Sequence, residues 1–404
     1  MIDYENTAEA LLRLTRWWSM NDVWHCGMAF TIGGVFQEAY EIRAAIIAGR
    51  VLRLGQARHV AHSFSDRALQ TQGLAEENMY YMGYAANRNE NGIPWCSCVA
   101  DACSSAAAIL DTVKAYPDSE RVPDYIASVR RFADYVLDKY ADENGVMGVG
   151  ILDYRINPMK QYWCASALIV QVLIDLHDLT GETKYLDAAI TQLEYLSVFD
   201  YRCTPDKDWD LSPAEVVVYA GEGVICGLKS ADARKRLAAR PAPSTMMVAS
   251  GSSNEEVTAA PNRIKAAEAG STDDCSNGPK TALDSLELRW AEFSEWLYRN
   301  QEVGGIWQDS KHYRCYQLGL SRLLVESIDV TGRTPEVETM INRQMACMIG
   351  AEGITYHGLF CRPFSTALAH FSAARVAELC VQDDHDAFQT ALAAATKRLP
   401  LAGW

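Results

Sequence analysis

YWCASALIVQVLIDLHDLTGETKYLDAAITQLEYL, residues 162–196, carries the plan of the whole chain. Its first half is an apolar run without strand-like alternation, and it stops at Gly181, the residue type that most readily ends a helix. From Lys184 the apolar residues return at helical spacing, leaving a polar face. The stretch therefore reads as a helical hairpin whose first member is buried all round and whose second member shows one face to water.

The same plan recurs in YRCYQLGLSRLLVESIDVTGRTPEVETMINRQM, residues 313–345, down to the Thr-Gly turn. Apolar members begin near Met28, Cys98, Cys164, Pro213, Arg314 and Pro363. Amphipathic partners run over 56–71, 123–140, 183–199, 282–299, 335–349 and 383–398, and an extra helix over 7–20, capped near Asn6 or Thr7, precedes them all. Hairpins recurring every 50 to 70 residues or so predict an all-α closed array, an (α/α)6 or (α/α)7 toroid with the apolar helices inside. The abundance of Ala, Gly, Ser and Cys in those helices suits close packing in an inner ring. An open solenoid would have a stricter period and shorter connections.

A single toroid domain accounts for 1–404, interrupted at about 229–280 by a segment rich in Ala, Ser, Pro, Gly, Asn and charge. That segment reads as a mobile insertion with one short helix at 261–269, because the periodic pattern resumes at Thr281. A domain boundary there is the alternative.

Composition bounds the function. The 404 residues are 49% hydrophobic, 22% charged and 10% aromatic, which excludes a disordered, collagen-like or coiled-coil chain. A formal charge of −15 opposes sequence-independent binding to nucleic acid. No uncharged apolar stretch reaches the roughly 18 residues of a membrane span, so no membrane partner is expected. The N-terminus, MIDYENTAEALLRLTRWW, lacks the basic-then-apolar layout of a signal peptide. With 12 cysteines, several inside helix-like runs (Cys164, Cys226, Cys347, Cys380), the expectation is a reducing, cytoplasmic setting. A secreted or periplasmic setting would follow had a signal been trimmed.

Three connections share a pattern: an outer helix ends, glycine follows, then a hydrophobic or aromatic residue. They are KYADENGVMG (139–148), LYRNQEVGGIWQD (297–309) and CMIGAEGITYHG (347–358). This pattern, with the repeat plan along nearly the full chain, resembles the (α/α)-toroid carbohydrate-active enzymes, most of all the uronate polysaccharide lyases that act on glucuronan or alginate. The stretch Gln301 to Trp307 also resembles the QxxxxxW motif of terpene cyclases, but occurs here once where those enzymes repeat it.

The resemblance implies a cleft over the ring end where connections enter the inner helices, and a polysaccharide or oligosaccharide as substrate, with no cofactor and no metal. The richest entry is Trp307-Gln308-Asp309-Ser310-Lys311-His312-Tyr313-Arg314. Cleavage beside a uronic acid by β-elimination needs a group to neutralise the carboxylate, a base for the C5 proton and an acid for the leaving oxygen. Tyr313 suits base and acid, with His312 and Arg314 holding the carboxylate or lowering its pKa, and Asn157 and Glu222 assisting. The bland alternative makes Tyr313 an interface aromatic and pairs Arg314 with an outer-helix Glu.

In SPAEVVVYAGEGVICGL (212–228), Glu215, Tyr219 and Glu222 share one face of an otherwise apolar helix. Buried carboxylates need partners or a ligand. Glu222 is either half of a glycosidase acid/base pair or the partner of an Arg on a neighbouring helix. Candidate sugar contacts recur at the same point of each repeat: Trp24 and His25, then Tyr80, Tyr81 and Arg88, then Trp163, then Tyr219, Trp307, His357 and Arg362. Aromatic rings stack on sugars, while Arg binds hydroxyls and carboxylates.

Other signals read as structural. Cys96, Cys98 and Cys103 fit no zinc spacing, Asp206-x-Asp208-x-Asp210 lacks the rest of a calcium loop, and Asp383 to Asp386 open an outer helix. Three rivals to the lyase stand: a toroid glycoside hydrolase using paired carboxylates, a terpene-cyclase-like enzyme, and a non-catalytic helical scaffold. The sequence leaves the oligomeric state open.

Overall fold

The computed structural model describes residues 1–20, 35–74, 76–81, 98–148, 163–199, 213–243, 279–305, 307, 316–349 and 363–399. Among them lie fourteen helices, numbered in chain order. Six form an inner set: α2 (Val35–Leu52), α4 (Val99–Ala115), α6 (Trp163–Thr180), α8 (Pro213–Lys229), α11 (Tyr316–Thr331) and α13 (Pro363–Asp383). The outer set is α1 (Tyr4–Met20), α3 (Gln56–Thr71), α5 (Val122–Lys139), α7 (Thr183–Val198), α10 (Ala282–Arg299), α12 (Pro335–Ile349) and α14 (His385–Arg398), with a short α9 (Ala231–Ala238) between α8 and α10.

Each inner helix packs on the next, α2 on α4, α4 on α6, α6 on α8, α8 on α11 and α11 on α13, and α13 returns to α2. The ring is closed and has six members, so of the two expected toroids the structure is the six-hairpin one. Burial separates the two sets. In α4 residues 102–110 are buried without a break, whereas α5 buries only Tyr125, Ser128, Val129, Phe132, Ala133 and Val136, a single stripe. Small residues set the inner spacing: a Cβ added to Gly223 of α8 would stand 2.7 Å from the Ala167 carbonyl oxygen of α6. By length and composition α6 could cross a bilayer, but here it is a core helix buried from Trp163 through Val170.

Five inner helices pass by a turn of a few residues into the outer helix packed against them, α8 reaches α10 through α9, and the C-terminal halves of all six line one cavity, so the six inner helices point the same way. Their C-terminal ends meet short turns such as Gly181-Glu182 and Gly332-Arg333-Thr334. Their N-terminal ends receive the long connections, whose residues 21–34, 82–97, 149–162, 200–212, 308–315 and 350–362 lie outside the described set.

Several boundaries differ from expectation. The first helix starts at Tyr4, because the Asp3 carboxylate accepts from the Asn6 backbone N–H at 3.0 Å and caps it earlier than Asn6 or Thr7 would. Asp383 ends α13, and Asp384 is the residue that caps α14, accepting from the Ala387 N–H at 3.0 Å. The segment expected to be irregular from residue 229 contains α9, capped by Ser230. Pro241 then pairs with Thr281, so the chain leaves and re-enters at one point. The expected helix at 261–269 lies outside the described residues, as do Met28 and Arg314, the expected starts of two inner helices.

The ring closes over a buried polar trio. His370 of α13 lies 2.9 Å from Glu41 of α2 through Nδ1 and 3.0 Å from Thr15 of α1 through Nε2. The Thr15 hydroxyl donates to the Leu11 carbonyl at 2.8 Å, so it accepts from His370 Nε2–H. With the imidazole kept neutral by its burial, Nδ1 is the acceptor and Glu41 donates to it as a neutral carboxylic acid. Burial acts in the same direction on both groups, driving the His370 pKa down to about 3 and the Glu41 carboxyl well above its usual range.

Candidate active site

The axis of the ring is charged. Glu222 of α8 receives Arg322 of α11 at 2.8 Å and Arg43 of α2 at 3.5 Å, with the Tyr40 hydroxyl 3.5 Å away. Arg43 extends this to α4 and α6, donating to Asp111 at 2.7 Å and to the Gln171 side-chain oxygen at 2.8 Å. The Arg322 guanidinium also lies 4.6 Å from the centre of the Phe371 ring and 5.2 Å from that of Tyr40. Five inner helices thus meet through two carboxylates, two guanidiniums and the Gln171 amide. Tyr219, expected on the same face as Glu222, does line the same small axial cavity of about 10 Å³, room for about one water.

Glu222 is thus held as the ion-pair partner of Arg322 on the adjacent α11 and of Arg43 on α2 across the ring. Sequence reading passed over both arginines, although a lone Arg inside EIRAAII (41–47) and another inside LSRLLV (320–325) are the signal that an apolar helix carries a buried partner. The Glu215 side chain lies outside the described residues.

Asp101 was also missed. It stands in the first turn of α4, the loop end of the ring, in the otherwise small and apolar VADACSSAAAIL. Burial raises its carboxyl pKa to about 7, which suits an acid or base working near neutrality. A single acid at the entrance of an apolar helix was the available clue.

Three expected sugar contacts are turned inward. Trp307 is 2% exposed and donates its indole N–H to the Leu297 carbonyl at 2.7 Å. The hairpin that delivers it pairs Gln301 with Trp307 and turns at Gly305 with φ +83°. The equivalent hairpin after α5 pairs Ala141 with Met147 and turns at Gly145 with φ +81°. In these two connections the glycine-led turn is a plug under the outer helix, and its last residue, Met147 or Trp307, packs in the core. Tyr80 is 1% exposed, shares a 2.9 Å hydrogen bond with the Ser128 hydroxyl and lies against Phe132. Trp163 opens α6 but is 1% exposed, stacked near Phe199 with Tyr219 on another side. As placed, none of these rings offers a free face. Tyr81 and Tyr219 are half-buried.

Tyr313, His312, Arg314, Asn157, Trp24, His25, Arg88, His357 and Arg362 lie outside the described residues. Each belongs to a connection entering the N-terminal end of an inner helix. Cys98 is half-buried and Cys103 buried, each as a free thiol, in keeping with packing roles. Among the described residues, His177, Asp178 and Asp232 are a group close enough to share an ion, on the far, short-turn side of the ring.

No protein-family profile matches the sequence, and no curated protein matches it. Solved structures do match the fold. A possible member of the GH105 family from Salmonella enterica serovar Paratyphi A superposes with a TM-score of 0.54 at 11% identity, over 92% of this chain and 94% of that one. A polysaccharide lyase superposes with a TM-score of 0.55 at 11% identity, over 93% and 98%. A glycosyl hydrolase family 88 protein from Bacteroides vulgatus does so with a TM-score of 0.53 at 11% identity, over 93% and 99%. At this identity the likeness is one of fold: the chain is an (α/α) toroid.

Proposed function

We propose that this toroid is an enzyme that cleaves a uronic-acid-containing polysaccharide or oligosaccharide at the loop end of its ring, by β-elimination. The observation that carries the proposal is the orientation of the inner helices. Six helix N-termini converge on the end where the connections into the inner helices enter, and their aligned partial positive charge favours an anionic substrate there. Those connections hold the Tyr, His, Arg and Asn that elimination requires. In this reading Tyr313 removes the C5 proton and returns a proton to the leaving oxygen, while Arg314, His312 and Asn157 bind the carboxylate.

A hydrolase reading rests on a different observation, the Asp101 carboxyl with its pKa near 7 at the same end, and the fold is shared with proteins described as glycoside hydrolases as well as with a lyase. Glu222, to which the sequence pointed for that role, is engaged by two arginines, so Asp101 replaces it as the candidate acid.

Incubation with a panel of uronate polysaccharides tests the proposal. Elimination leaves a double bond conjugated to a carboxylate and a rising ultraviolet absorbance, abolished in Tyr313→Phe with the fold intact. New reducing ends without absorbance, lost in Asp101→Asn, would overturn elimination in favour of hydrolysis.

A further inference from the structure

The end of the ring opposite the long connections is hollow. A cavity of about 420 Å³ opens there among the C-terminal halves of the inner helices, a volume in the range of small-molecule sites. Its floor is set by Arg43 and Phe371, its mouth by Arg50, Asp178 and Glu378, and apolar walls come from Ile47 and Ile174. Arg43 to Arg50 spans two turns of α2, roughly 10 Å of depth.

The lining is dense in charge but carries no net charge. Arg43, Arg50, Lys114, Lys229 and Arg375 oppose Asp111, Asp175, Asp178, Glu326 and Glu378, five against five. The cations are held in place. Arg43 meets Asp111 at 2.7 Å, Lys114 meets Asp175 at 2.9 Å, Arg50 meets Glu378 at 2.8 Å, and Lys229 meets Asp329 at 2.7 Å. Glu326 is different: it lines the cavity and makes no hydrogen bond or ion pair to any described residue. Burial would raise its carboxyl, but Arg322, Lys229, Arg43 and Arg375 at longer range outweigh that and keep its pKa below the usual value. It is a charged acceptor whose oxygens remain available to a ligand.

A balanced lining gives neither an anion nor a cation a Coulombic advantage, whereas donors and acceptors pre-set by their own ion pairs serve a ligand rich in hydroxyls. We infer that this cavity is a second ligand site, separate from the loop end, for a neutral polyhydroxylated molecule of monosaccharide to disaccharide size, with Glu326 accepting from its hydroxyls. The inference is independent of the catalytic reading, since it uses the opposite end of the ring and other residues.

The test is ligand-observed NMR with neutral monosaccharides and disaccharides, alongside potassium chloride, spermidine and inorganic phosphate as separate probes. Ile174→Trp fills the cavity and should weaken sugar binding at least tenfold, while Glu326→Gln, which keeps the shape, should weaken it severalfold. Unaltered circular dichroism and melting temperature establish folding for each variant. Should Ile174→Trp misfold, Glu326→Gln decides alone. Sugar binding that is absent, or equal in wild type and Glu326→Gln, overturns the inference, as does binding of only an ion or the polyamine.

Discussion

The two ends of the ring are built from the same six helices and differ in nearly everything else. At the short-turn end five of the six hairpins turn back in a few residues, and the lining is a charge-balanced set, largely ion-paired, around an open cavity. At the loop end long connections enter, and the described helix starts combine the buried Trp163 with the half-buried Cys98 and the acidic first-turn residues Glu38 and Asp101. Between the ends stands the Glu222–Arg322–Arg43 cluster.

The largest expected effect comes from breaking that cluster. Glu222→Leu leaves Arg322 buried without its carboxylate and removes one of the two that Arg43 meets, and should cost about 3–5 kcal/mol by denaturant melts. A fully stable Glu222→Leu that had lost only turnover would instead return Glu222 to the chemistry. Next is the contrast between turns. Gly305, at the loop end, would place a Cβ 2.5 Å from the Arg343 carbonyl oxygen and sits at φ +83°. Gly332, at the short-turn end, has φ +78° and no heavy atom near the added Cβ. Gly305→Ala should therefore cost about 3 kcal/mol and Gly332→Ala about 1 kcal/mol. Equal losses would mean that the plug beneath α10 contributes nothing beyond its backbone angle.

The seam offers a finer test. Glu41→Gln keeps a donor for His370 Nδ1 and should be nearly neutral, whereas Glu41→Leu leaves that nitrogen unsatisfied and should cost about 2 kcal/mol. If Gln proved as damaging as Leu, the neutral carboxylic acid would be the wrong state. A test of another kind concerns pH at the loop end. Asp101 keeps its proton in the folded state up to about 7, whereas the unfolded chain loses it near 3.8. Its contribution to stability therefore falls as pH rises through that window, by at most about 1.4 kcal/mol per pH unit, and levels off above it. Asp101→Asn should remove that slope; a slope unchanged in the variant would show that other groups set it.

The sequence specified the helices closely, because burial pattern is a local property of a chain. Apolar runs such as 163–176 and one-sided stripes such as Tyr125 to Val136 announce inner and outer positions without knowledge of neighbours. The glycine-led connections were also recognisable as a repeat. Their meaning was not, since an aromatic residue after a turn reads alike whether it faces a sugar or the core. Trp307 and Tyr80 illustrate this, and only the Leu297 carbonyl and the Ser128 hydroxyl decided between the two.

What the chain determined alone is thus the element order, the alternation of buried and half-buried helices and the toroid they imply. Tertiary structure decided the number of inner helices in the closed ring, the partners of Glu222 and the charge-balanced cavity at the far end. The reason is physical. Periodicity is set by residues three and four apart, whereas an ion pair between Glu222 and Arg322 joins positions a hundred residues apart that become neighbours only when the ring closes.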